Sequence, residues 1–233
     1  MTRGILVCFE GLDGAGKTTI ARSVTNTLLN AGFPARLVER KDPDCDSDEL
    51  TSRLELLKQL IWDYGEVPIT ELGDYHALHN MASWFSAIDY RKVRPLLKRG
   101  SMVIADNWYY KFYSRFRLKP GIDPNLLQAA FSHLTRPDLV FFLDVTPEVA
   151  ARRKVHFGKG ETGFFDGYGE PGYATFIKYQ QNVRNVMKQL AREEGWLSIE
   201  VNEKSPEQIS SLVVDTIQRH LQLAPTIGHH RSC

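Results

Sequence analysis

Gly11 to Thr18 fit the pattern G-x-x-x-x-G-K-[ST] without a mismatch. Each residue type in that pattern has work to do on a phosphate. Gly11, Gly14 and Gly16, with the small Ala15 between the last two, let the backbone curl so that successive N–H groups point inward at oxygens. Lys17 has the reach for β- and γ-phosphates, and Thr18 can offer its hydroxyl to Mg²⁺. Thr19 continues into a helix whose positive N-terminal end adds to the grip. A glycine turn that merely packs a helix on a sheet is the plainer alternative, but it leaves Lys17-Thr18 unexplained.

A loop of this kind needs a strand before it and a helix after it, and both are readable. Ile5 to Phe9 is apolar and partly β-branched. Ile20, Val24, Leu28 and Ala31 recur at helical spacing, and Gly32 is a plausible stop. Further strands are expected at Ala35–Glu39, Met102–Ala105, Leu139–Asp144 and Leu197–Val201. Helices are expected at about 17–31, 48–61, 74–99, 123–134, 147–156, 173–194 and 206–221. Strands alternating with helices predict an α/β fold with right-handed crossovers and a mainly parallel sheet covered on both faces. Ligands of such a sheet bind beyond the carboxyl ends of its strands. The loop, the 40–43 turn, Asp106 and the 144–147 turn all fall on that rim.

The chain has 233 residues, 42% hydrophobic and 24% charged, with a net charge of +1. That suits one α/β domain over 1–223 and argues against a bulk electrostatic grip on nucleic acid. No apolar run approaches the ~20 residues that span a bilayer, and no secretory signal precedes the loop. Cys8, Cys45 and Cys233 form no metal-spacing pattern, so a cytoplasmic protein with reduced thiols is the expectation. Residues 157–172 hold six glycines and little periodicity, which reads as a mobile lid or a surface loop. The stretch 224–233 reads as a flexible tail.

The run Phe9-Glu10-Gly11-Leu12-Asp13-Gly14-Ala15-Gly16-Lys17-Thr18-Thr19 resembles the phosphate loop of the thymidylate kinase family of nucleoside monophosphate kinases. Weaker similarity runs over nearly the whole chain. It includes Lys41-Asp42-Pro43, the segment from Val93 to Gly100 leading to Val103-Ile104-Ala105-Asp106, and Leu143-Asp144-Val145-Thr146-Pro147-Glu148 with Ala150-Ala151-Arg152-Arg153. The resemblance implies a P-loop NTPase three-layer sandwich with a five-stranded parallel sheet in the order 2-3-1-4-5 and a lid at about 153–172. It also implies ATP and Mg²⁺, a small-molecule nucleotide acceptor and a homodimer. Carried over by position, Asp13 would bond the acceptor's sugar hydroxyl, Lys41 or the neighbouring Arg40 its phosphate, and Asp106 a metal-bound water or the acceptor oxygen. A helix cap at Asp106 is compatible with that role.

The departures from the family concern the acceptor half. Asn107 stands where the resemblance implies an arginine that clamps phosphate, which removes a full positive charge there. Met81 and Phe85 fall where the family carries base-contacting residues, and neither repeats their role in kind. Trp108 and Tyr109, followed by Tyr110, Lys111, Tyr113 and Arg115, offer a rebuilt pocket instead. Gly14 leaves no arginine in the loop. Family members of that type place basic residues on the lid, which points to Arg152 and Arg153, with Lys154 and Lys159. The expected catalytic set is therefore Lys17, Asp106 and Arg153, with Thr18 and Asp106 at the metal. The reading is phosphoryl transfer from ATP to a (deoxy)nucleoside monophosphate, with a non-standard acceptor in view. A nucleoside or small-alcohol kinase is one rival, and a nucleotide-binding regulatory module without efficient transfer is another.

Overall fold

In a computed structural model that describes residues 3–63, 67 and 69–223, five parallel strands form one sheet in the order β2-β3-β1-β4-β5. They are β1 (Leu6–Gly11), β2 (Ala35–Glu39), β3 (Met102–Asp106), β4 (Leu139–Asp144) and β5 (Leu197–Glu200). β1 is buried at every position, as expected of a central strand covered on both faces. The register pairs Phe9 with Asp106, Glu39 with Asp106 and Gly11 with Leu143. These pairings bring the carboxyl ends of β1, β2, β3 and β4 to one rim.

The strand expectations hold to within two residues. The helices are α1 (Lys17–Asn30), α2 (Asp48–Trp62), α3 (Asp74–Ile88), α4 (Arg94–Lys98), α5 (Tyr110–Arg117), α6 (Pro124–Ser132), α7 (Pro147–Arg152), α8 (Tyr173–Glu194) and α9 (Pro206–Leu223). α1 packs on β2, β3 and α9, and α5 packs on β1, α6 and α8. The sheet thus lies between two helical layers, the three-layer sandwich of a P-loop NTPase. The 224–233 stretch lies outside the described residues.

Local chemistry sets the helix boundaries. Ser47 accepts from Leu50 N at the start of α2, and Thr146 accepts from Val149 N at the start of α7, where Pro147 takes the first turn. α8 ends on Gly195, whose φ of 69° suits a residue without Cβ. The expected single helix over 74–99 is divided by one wide turn at Asp89–Val93, where Arg94 N donates back to Asp89 O. Pro95 has no N–H for the regular ladder, and the wide turn absorbs that gap. The helix expected over 147–156 stops at Arg152. The glycine-rich 157–172 stretch contains two short 3₁₀ turns at Lys159–Glu161 and Phe164–Asp166. Among the described residues no helix is long and apolar enough to cross a membrane.

Candidate active site

The P-loop leaves β1 at Gly11 and enters α1 at Lys17. No side chain caps α1; its Ncap is Gly16, at a φ of 90°. The first N–H groups of the helix therefore remain available to an anion. Gly14, at a φ of 87°, presses against α7: a Cβ there would lie 2.7 Å from Ala150 O. Close packing as well as curl therefore demands glycine at this place. Ala15 is 2% exposed behind the loop.

The loop opens onto a basin of about 270 Å³. Asp13, Gly14, Gly16, Lys17, Thr18 and Thr19 line one side of it, and Arg40, Asp106, Asn107 and Lys111 the other. Thr18 donates its hydroxyl to Asp106 Oδ2 at 2.7 Å. Two oxygen ligands at the mouth of a phosphate cradle suit Mg²⁺, which keeps most of its waters and takes one or two protein ligands plus phosphate. Lys17 Nζ is folded onto the loop, donating to Gly11 O at 2.9 Å and Leu12 O at 2.7 Å. Asn107 is 3% exposed, has the left-handed φ of 69°, and neither amide atom has a protein partner. A strained, buried and unpaired amide lining this basin is the kind of group a ligand satisfies.

Arg40 and Lys41 sit differently with respect to the basin. Arg40 faces the basin, its guanidinium over Phe112 and Trp62 at 5.4 and 5.7 Å from the ring centres. Its turn is pinned by Trp84 Nε1, which donates to Arg40 O at 2.9 Å, and by Lys92, which holds Asp42. Lys41 points away, with Nζ 5.0 Å from the Trp62 ring centre. Asp13 is held by two cations. Lys111 Nζ lies 2.7 Å from Oδ1, and an Arg115 nitrogen lies 2.6 Å from Oδ2. Burial pushes the Asp13 carboxyl up, but Lys111, Arg115 and Lys17 outweigh it and hold it well below the usual range.

Three expected site residues lie elsewhere, and a fourth lies beside the basin rather than in it. Trp108 is 1% exposed because the left-handed turn at Asn107 sends it inward; its backbone N–H donates to Glu10 and its indole N–H to Thr135 O. Tyr109 stacks on Phe131 at 5.1 Å and lines a separate cavity of about 330 Å³ with Gln128, Arg136 and Glu194. Phe85 sits behind Phe112, edge-on to Trp108. Met81 does reach a ligand-sized space, but an adjoining apolar hollow of about 140 Å³, shared with Trp62, Phe112, Arg115 and Tyr179.

The lid cations also depart from expectation. α7 packs its backbone on Gly14, so Arg153 emerges behind the loop, donating to Gly14 O at 3.3 Å and Val201 O at 2.9 Å. In this conformation it clasps the P-loop to the end of β5. Arg152 is exposed, Lys154 pairs with Glu161, and Lys159 lies over Phe164. The cations that do reach the basin from outside the loop are Arg40 and Lys111. Sequence reasoning named Lys111 and Arg115 without ranking them as site residues. The signal that finds them is their spacing of four, which puts both on one face of a helix.

Glu10 lies beneath the basin, fully buried. Its Oε1 accepts from Trp108 N at 2.9 Å, and Oε2 has no partner. Burial pushes its carboxyl up to about 7, against the opposing pull of Lys17, the Trp108 N–H and Lys111. The folded value lies above the ordinary one, so the native state binds the extra proton between about pH 4.5 and 7. Stability then falls by about 3 kcal/mol as pH rises through that window. Glu10→Gln is expected to flatten this slope and to be the more stable protein above pH 7. Urea midpoints at pH 5 and pH 8 check it; parallel slopes in the two proteins would refute it.

Comparison with known proteins agrees with this geometry. A family profile described as "Thymidylate kinase" matches residues 9–213. A thymidylate kinase of Caenorhabditis elegans is 30% identical over 200 residues, covering 84% of this chain and 83% of the relative. A probable thymidylate kinase 2 of Saccharolobus solfataricus is 29% identical, covering 83% and 85%. The fold matches that of a Candida albicans thymidylate kinase with a TM-score of 0.66, over 94% of this chain and 92% of that one. At 19% identity the likeness speaks to the fold alone. The profile runs from within β1 to within α9 and so takes in the P-loop, Asp106 and the glycine-rich 157–172 stretch: the chain belongs to the thymidylate kinase family and is an ATP-dependent nucleotide kinase.

Proposed function

We propose that the protein moves the γ-phosphoryl group of MgATP in line onto a (deoxy)nucleoside monophosphate and releases the diphosphate. The observation that carries the acceptor class is the charge around the basin. Lys17, Arg40 and Lys111 face it with Asp13 and Asp106, and Arg115 stands behind Asp13. That surplus of cations suits two phosphorylated substrates meeting there. An uncharged alcohol would need a base to take its proton rather than extra cations. In this reading the P-loop N–H groups and Lys17 hold the donor, and Arg40 holds the acceptor phosphate. Thr18 and Asp106 would hold Mg²⁺, which neutralises charge between the β- and γ-phosphates when bound. Arg152 and Arg153 belong to a closed state, in which the lid excludes water.

Thymidine monophosphate is the reference acceptor, because the relatives carry it in their names. Asn107 and Met81 support a preference shifted within the class, with the base entering the hollow between Met81 and Phe112. ADP release from MgATP, measured over a panel of nucleoside monophosphates and unphosphorylated nucleosides, tests both statements. The monophosphates are expected to exceed the nucleosides in kcat/KM by more than about 100-fold, the worth of a charged phosphate contact. Thymidine monophosphate far ahead of every other acceptor would sink the shifted preference and leave the class standing. Arg40→Met is expected to raise the acceptor KM about tenfold or more, and Lys41→Met less than about twofold, since only the first loses a charge-assisted contact. Equal effects in the two variants would overturn the assignment of Arg40.

A further inference from the structure

The wall of the basin facing the P-loop is made by the first turn of α5, and Lys111 is the side chain it sends in. Lys111 is 3% exposed, its Nζ 2.7 Å from Asp13 Oδ1 and 5.7 Å from the centre of the Phe112 ring. Asp13 brings one negative charge to two cations. Arg115 already neutralises the carboxylate from the other oxygen at 2.6 Å, so the three groups together carry a surplus positive charge. Keeping a second cation out of water beside a carboxylate that is already paired costs free energy that the contact with Asp13 offsets only in part in the ligand-free chain. An anion in the basin supplies the rest. Asn107 beside it is neutral, and Arg40 approaches from the β2 side, which leaves Lys111 as the cation opposite Lys17.

We propose that Lys111 is a catalytic cation, parked on Asp13 in the free protein and transferred to phosphate oxygens when both substrates are bound. The proposal rests on the reading of function given above. In the step it serves, an acceptor phosphate oxygen forms a bond to the γ-phosphorus. The bond from that phosphorus to the β–γ bridging oxygen breaks, and its electron pair leaves with ADP. A dianionic acceptor has no proton to give up, and Lys111 keeps its own throughout. Its contribution is electrostatic: it neutralises charge shared between the acceptor phosphate and the group in transfer. Asp13, fixed by Arg115, keeps the ammonium charged and aimed until then.

Lys111 faces Glu10 of β1, Asp13 of the P-loop, Lys17 of α1, Arg40 after β2, Asp106 of β3 and Arg115 of its own helix. Burial, with Arg40, Lys17 and Arg115, draws its amine well below the ordinary lysine value against the pull of Asp13. An alkaline limb in the kcat/KM profile, which reports the free enzyme, is therefore expected.

The test uses the full chain with MgATP and the nucleoside monophosphate that the wild type turns over best. Lys111→Met is expected to lower kcat by about 10²–10³-fold and to change the KM for MgATP by less than about twofold. Lys111→Arg is expected to recover more than a tenth of the wild-type kcat. Its alkaline limb should move to higher pH, because a guanidinium does not titrate there. Lys111→Gln keeps a donor to Asp13 and stands in, with the same criteria, if the methionine variant does not fold. A neutral variant within about threefold of wild type overturns the proposal, as does an arginine variant with no rescue and an unmoved limb. A wild type inactive on every nucleoside monophosphate sinks the reading of function and this proposal with it. An active wild type beside an equally active Lys111→Met sinks this proposal alone.

Discussion

Lys17→Ala is expected to lower kcat by about 10²–10³-fold, the usual cost of removing one preorganised charge-stabilising donor. The loop is nevertheless expected to keep its shape. In the free protein Lys17 contributes two hydrogen bonds, to Gly11 O and Leu12 O. Against those stands the cost of burying an ammonium, which draws its pKa below the ordinary value although Asp13, Asp106 and Glu10 pull the other way. The two effects oppose each other, so the ligand-free melting temperature should move little. The ligand-dependent part should move a great deal. MgATP at 100 times its Kd stabilises a protein by about 2.7 kcal/mol, and much of that shift should vanish with the lysine. The measurement is kcat by coupled ADP release, beside thermal melts with and without MgATP. Full transferase activity in the variant would defeat the P-loop assignment itself.

The donor half of the site was legible because its determinants are local. Gly11, Gly14, Gly16, Lys17 and Thr18 occupy one turn, and the spacing of eight residues encodes both the curl and the reach. The central strands β1, β3 and β4 were legible for a similar reason, since each is a short apolar run between turn residues, whereas the edge strands β2 and β5 are mixed in polarity. The acceptor half was not, because it is assembled from directions that periodicity does not carry. Arg40 and Lys41 are adjacent in sequence, and only the Trp84 and Lys92 contacts to their turn decide which one faces the basin. Trp108 read as a pocket residue until the left-handed turn at Asn107 turned it into the core. α5 was overlooked because it is only eight residues long, little more than two turns, too short for a helical period to stand out from its run of aromatics. Arg153 satisfied a pattern for lid cations, yet the close approach of Ala150 to Gly14 puts it behind the loop in this conformation.

Asp13→Asn is the change expected to cost the ligand-free protein most, about 3–5 kcal/mol, the usual result of breaking a buried ion pair from one side. Asp13 was expected to meet a sugar hydroxyl. In the free protein it is bonded on both oxygens, to Lys111 and Arg115, with side-chain exposures of 14%, 4% and 16%. An asparagine there leaves two cations in a largely dry place with no counter-charge. The Asp13 carboxyl is held well below its ordinary value, so its stabilisation is complete above about pH 3.8 and is lost only as pH falls further, through the folded value. Wild-type stability should accordingly show no Asp13 step between pH 5 and 8, the range that holds the upper part of the Glu10 slope. The variant should behave otherwise. Lys111, whose amine is already lowered, can shed its proton when Asp13 is neutral, whereas Arg115 cannot. The deficit should therefore narrow as pH rises, until the wild-type Lys111 sheds its own proton below the ordinary lysine value. It should narrow also when MgATP and acceptor are added together, because their phosphates bring anions back to the same cations. Urea midpoints at pH 6 and pH 9, with and without substrates, measure all three effects. A variant within about 1 kcal/mol of wild type at pH 6 would mean that solvent screens the cluster as it screens a surface pair. In that case Asp13 would be free to read the sugar after all.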